Sequence, residues 1–85
     1  MGRFYKLNKV IKEDARDIIL NEIQDVNHVS RAWYNEDPAG LCVFADDEEY
    51  TAVMNRIVNI CSREGSGAEL SFAGYVQEDG TLLAF

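Results

Sequence analysis

Val29-Ser30-Arg31-Ala32-Trp33-Tyr34-Asn35, then Glu36-Asp37-Pro38-Ala39-Gly40, then Leu41-Cys42-Val43-Phe44-Ala45 is the stretch on which the fold turns. The first segment is rich in β-branched and aromatic residues. The second carries the chain's one proline beside a glycine and reads as a turn. The third is five apolar residues in a row, bounded by turn signals, the pattern of a strand buried on both faces. Together they predict a β-hairpin with a loop of about four to five residues.

Outward from this hairpin the pattern becomes helical on both sides. From about residue 12 to 26, Ala15, Ile18, Ile19, Ile23 and Val26 recur at spacings of three and four, with acids mainly on the other side. After the hairpin, Asp46 or Asp47 is placed to cap a second helix, and Tyr50, Val53, Met54, Ile57, Ile60 and Cys61 form its apolar stripe. Gly65 is placed to end that helix in the left-handed conformation. Residues 3 to 10 predict a first strand. Ala68 to Val76 alternates, with Leu70, Phe72 and Val76 facing one way and Glu69, Ser71 and Tyr75 the other. A turn at Glu78-Asp79-Gly80 permits a last short strand, Thr81–Phe85.

The expected order is strand, helix, strand, strand, helix, strand, with an optional fifth strand. That order suits an α+β, ferredoxin-like βαββαβ sandwich, with two helices on one face of an antiparallel sheet. Eighty-five residues fit one such domain, 1–85. With 47% hydrophobic and 27% charged residues, the composition is that of a globular chain rather than a disordered or fibrous one. No apolar run reaches the roughly 18 residues of a membrane span. No secretory leader opens the chain, so the expectation is a cytoplasmic protein with no membrane partner.

The net charge is −7, which disfavours a nucleic-acid partner. It is unevenly spread: residues 1–12 carry +4 through Arg3, Lys6, Lys9 and Lys12, and the remainder carries −11. The simplest expectation is that the basic start sits against the acidic body. The sharper alternative is a small anion-binding patch.

Ile23 to Trp33 followed by Leu41–Ala45 resembles the heavy-metal-associated (copper-chaperone-like) domain family: a helix ending in a short apolar motif, a strand, a turn and a very apolar strand. The resemblance implies the scaffold. The family's Cys-x-x-Cys pair falls at Lys12 and Ala15, so the thiolates that hold a soft metal are missing and no metal ligand carries over.

The residues offer little catalytic chemistry. His28 is the only histidine, with Ser30 the nearest hydroxyl, and no oxyanion hole is suggested beside them. Asp46-Asp47-Glu48-Glu49 reads as first-turn acids at a helix start rather than a cation site. Cys42 and Cys61 are nineteen apart and read as small core residues rather than a bridge or a zinc site. Neither an enzyme nor a bound cofactor or metal is expected.

What stands out is surplus apolar sheet surface. Two helices cover one face, yet Leu41–Ala45 is apolar on both. One of Trp33 and Tyr34 is expected to point away from the helices, with Tyr75 and either Cys42 or Phe44 nearby. Trp33, Tyr34, Phe44 and Tyr75 therefore form the candidate partner surface, and a second copy is the simplest partner. The competing expectation is that Leu82–Phe85 folds over that face. A small-ligand domain, or a metal-carrier-like domain using Cys42, Cys61 or His28, is the alternative function.

Overall fold

A computed structural model describes residues 1–83; the expected end of the last strand, 84–85, lies outside the described residues. The elements are β1 (Gly2–Leu7), α1 (Glu13–Gln24), β2 (Val29–Glu36), β3 (Ala39–Ala45), α2 (Tyr50–Glu64), β4 (Leu70–Val76) and β5 (Leu82–Leu83), with a single 3-10 turn at Asp47–Glu49 before α2. The fold is α+β. Its sheet is antiparallel throughout and ordered β2-β3-β1-β4-β5. It departs from a plain four-stranded βαββαβ sandwich by the fifth strand and by two register shifts that curl it. Among the described residues no helix is long and apolar enough to cross a membrane.

The central hairpin is tighter than expected. Glu36 pairs with Ala39 and Asn35 with Gly40, so only Asp37 and Pro38, joined by a cis peptide bond, form the turn. Glu36, Ala39 and Gly40, expected in the turn, are carried into the ladder by continued backbone pairing, which composition does not reveal.

The helix boundaries also differ from expectation. Neither Asp46 nor Asp47 caps α2. Asp46 instead gives its carboxylate to His28, and the chain makes a 3-10 turn before α2 begins at Tyr50. Gly65 follows α2 with φ −105°; the left-handed residues are Ser66 (φ 56°) and Gly67 (φ 82°), so the reversal is made one residue later. On α1, Ile19 and Ile23 are buried as the spacing predicts, whereas Ile18 is 50% exposed.

Two apolar layers result. The larger lies between the helices and the sheet, built on Ile19, Ile23, Leu41, Val43, Val53 and Ile57. The smaller lies on the opposite sheet face: Phe4, Cys42, Phe44 and Val76, with Trp33, Ala73 and Leu82 packed against them. Phe4 and Cys42 are wholly inaccessible although no helix covers them. Two glycines make this possible. A side chain at Gly2 would collide with the ring of Phe44, and one at Gly40 with the ring of Phe4, so both rings lie flat on bare backbone.

Candidate interaction surface

The face opposite the helices holds Trp33 and Phe44 together. Their rings stack at 5.6 Å and 27°. The Arg31 guanidinium covers Trp33 at 4.5 Å and reaches toward Phe44 at 5.7 Å. The same group donates to the Glu78 carbonyl at 3.1 Å, tying β2 to the turn after β4. Leu82 packs on the same cluster, and Phe44 is only 8% exposed. The chain's own turn and Leu82 thus cover part of this face, as the competing expectation held for that residue, whereas Leu83 pairs with Tyr75 on the other side.

Tyr34 and Tyr75 are not there. Tyr34 pairs with Leu41 and packs on the helix-side core. Arg16 stacks on it at 4.2 Å while donating to the Ile11 carbonyl and pairing with Glu36 at 3.1 Å. Tyr75 pairs with Arg3, on the helix side of the sheet at the β4 end. The reason is a bulge: Tyr5 opposes Phe72 and Phe4 opposes Gly74, so Ala73 is an extra residue and the alternation along β4 reverses. Leu70, Phe72 and Tyr75 therefore share one face, and Ala73 and Val76 turn to the other. A strict two-residue period read through this bulge placed Tyr75 with Trp33, which the structure corrects.

The bulge creates an aromatic shelf that the sequence reading missed. Phe72 is 52% exposed and Tyr75 44% exposed. Their rings meet edge to face at 5.4 Å, and Phe72 meets Tyr5 at 5.7 Å. Arg3 lies between rings, 4.0 Å from the Tyr50 centroid and 6.0 Å from that of Phe72. Behind it, the Tyr50 hydroxyl donates to the Val43 carbonyl at 3.1 Å and accepts the Ala45 N–H at 3.2 Å. Burial pushes the hydroxyls of Tyr5 and Tyr50 above the ordinary phenol range, with Arg3 pulling the other way. The one signal that could have found the shelf is Ala73-Gly74, a pair small enough to admit a bulge.

The other candidates are accounted for. His28 sits at φ 74° with Nδ1 2.9 Å from Asp46 Oδ2, both exposed. Cys42 and Cys61 are free and buried on opposite sides of the sheet, and burial pushes each thiol up to about 11. Among the described residues no three His, Cys, Asp or Glu side chains gather as metal ligands. The basic start does not pair with the acidic body: no ion pair among the described residues uses Arg3, Lys6, Lys9 or Lys12, and Lys9 donates to the Ser66 carbonyl. A groove of about 340 Å³ runs between the end of α1 and α2, lined in part by Asp25, Arg56, Asn59 and Ile60. Arg63 and Glu22, which also line it, form an ion pair.

Comparison with known proteins finds no matching family model, no matching curated protein and no matching solved structure.

Proposed function

We propose that this chain is a small non-catalytic interaction domain that self-associates through the aromatic shelf beside β4. The scaffold is read as a ferredoxin-like βαββαβ core elaborated by β5. The observation that carries the reading is the adjacency of two large, half-exposed aromatic rings, Phe72 and Tyr75, at the β4 end of the helix side of the sheet. Aromatic and Arg side chains are the types enriched at the centres of protein interfaces, and Arg3 completes that set here. A twofold pair of identical chains is the commonest oligomer. The surface moves from Trp33 and Phe44 to Phe72 and Tyr75 because the former pair is largely covered within the chain. Burial that holds both thiols protonated supports a non-catalytic role for Cys42 and Cys61. The likeness to heavy-metal-associated domains would then extend to the scaffold alone, with Lys12 and Ala15 where the metal thiolates stand.

Light scattering across a concentration series tests the reading. The expected result is a mass rising reversibly from 9.6 kDa toward twice that value, and remaining at the lower value when Phe72 and Tyr75 are both replaced by Ser. A wild-type mass that stays at 9.6 kDa throughout overturns it.

One observation favours a second reading, a small-ligand carrier. Arg56, on the groove between α1 and α2, makes no hydrogen bond or ion pair among the described residues, and the unbonded carboxylate of Asp25 lines the same groove. A melting-temperature rise with a zwitterionic metabolite, lost in Arg56→Ala, would support it.

A further inference from the structure

The two edges of the sheet are built differently. The β2 edge carries the devices that deter strand addition: a register shift at Ser30, the charges of Arg31 and Glu36, and the Gln24 amide donating to the Ala32 carbonyl at 3.0 Å. The β4 edge has one such device, the bulge at Ala73, and it lies beyond the regular stretch Leu70–Phe72. Among the described residues its outer side is paired only where Tyr75 and Val76 meet β5, and Leu70–Val76 contains no charged residue at all in a chain of net charge −7.

The hydrogen-bond phase shows which groups face outward. Asn8 donates its N–H to the Glu69 carbonyl at 3.1 Å, and the β1–β4 register continues through Leu7–Leu70, Lys6–Ser71 and Tyr5–Phe72. Antiparallel ladders alternate bonded and non-bonded pairs. Ser71 therefore bonds to β1, while the N–H and C=O groups of Leu70 and Phe72 point to the free edge.

We infer that the partner on this edge is the same edge of a second copy, paired antiparallel about a twofold axis at Ser71. This rests on the self-association proposed above and specifies its geometry. In that register Leu70 of one copy faces Phe72 of the other, and each such pair exchanges two backbone hydrogen bonds, giving four across the axis. On the helix side Leu70 and Phe72 pack against their counterparts as cross-strand pairs. On the other face the two Ser71 side chains meet. Self-pairing suits this edge because two acidic chains approach here without bringing like charges together.

Sedimentation equilibrium up to about 100 µM, the range suited to a small interface, is combined with amide exchange at two concentrations. The wild type is expected to dimerise, with protection of the Leu70 and Phe72 amides growing with concentration. Ser71→Asp places two carboxylates face to face at the axis and is expected to raise the dissociation constant by about tenfold. Ile18→Asp adds the same charge at an exposed position on α1 and is expected to leave it unchanged. A dimer indifferent to Ser71→Asp, with the Leu70 and Phe72 amides unprotected, overturns strand pairing but leaves association through the rings standing. A wild type that stays monomeric removes both.

Discussion

Replacing Phe4 by Ala is the most demanding test of how this sheet is closed. Phe4 lies on the face without helices, where an unassisted sheet would be wet, yet its accessible surface is 0%. Its ring rests on Gly40 and packs with Cys42, Phe44 and Val76. Phe→Ala changes at fully buried sites cost about 3–5 kcal/mol through lost burial plus the residual cavity. A chain of this length has roughly 4–13 kcal/mol in total, so between about a quarter and all of the stability is at stake. At about 4–8 °C per kcal/mol, the melting temperature should fall by at least about 12 °C. Phe72→Ala is the internal contrast: its ring is 52% exposed and should cost less than about 1 kcal/mol in the monomer. Urea unfolding followed by the fluorescence of Trp33, which packs on the Phe4 cluster, measures both at low protein concentration. If Phe4→Ala stays within about 1 kcal/mol of the wild type, the second apolar layer is not a closed core. The Trp33–Phe44 face would then be open to a partner after all.

Two further outcomes follow from the buried thiols and from the turn after α2. Burial raises Cys42 and Cys61 from 9.0 to about 11 in the folded chain, so their neutral forms stabilise the fold fully below pH 9 and progressively less as pH rises toward 11. Urea midpoints should fall across that window by the equivalent of about 1.4 kcal/mol per pH unit for each thiol, and Cys42→Ala should flatten the slope; an unchanged midpoint would refute the assignment. Ser66, held at φ 56°, should tolerate Gly but lose about 1–2 kcal/mol on replacement by Val, read by the same unfolding curves.

Much of the architecture was legible along the chain because it depends on short-range periodicity. The stripes of α2 and the two-faced run Leu41–Ala45 announce their own burial, and Ile19 and Ile23 do the same for α1. The candidate surface was legible only in part. Trp33 and Phe44 are brought together because both lie in the regular part of the β2–β3 ladder. Tyr75 was assigned to the wrong face because one extra residue, Ala73, inverts a period of two, and nothing in the apolar pattern marks where a strand bulges. Asp46 was read as a helix cap because capping is a local preference, whereas its partner His28 is eighteen residues away.

By itself the sequence determined that two amphipathic helices and a hairpin-based antiparallel sheet would form, and that the sheet would carry more apolar area than the helices cover. These are properties of spacing and residue type within a few turns of chain. Only the tertiary structure decided where that surplus goes. Gly2 and Gly40 let rings from neighbouring strands lie on bare backbone, Arg31 and Leu82 close over them, and the Ala73 bulge turns Phe72 and Tyr75 outward on the opposite side. Those outcomes depend on register between strands distant in sequence, and register is fixed by which backbone groups meet across the sheet rather than by any one strand's composition.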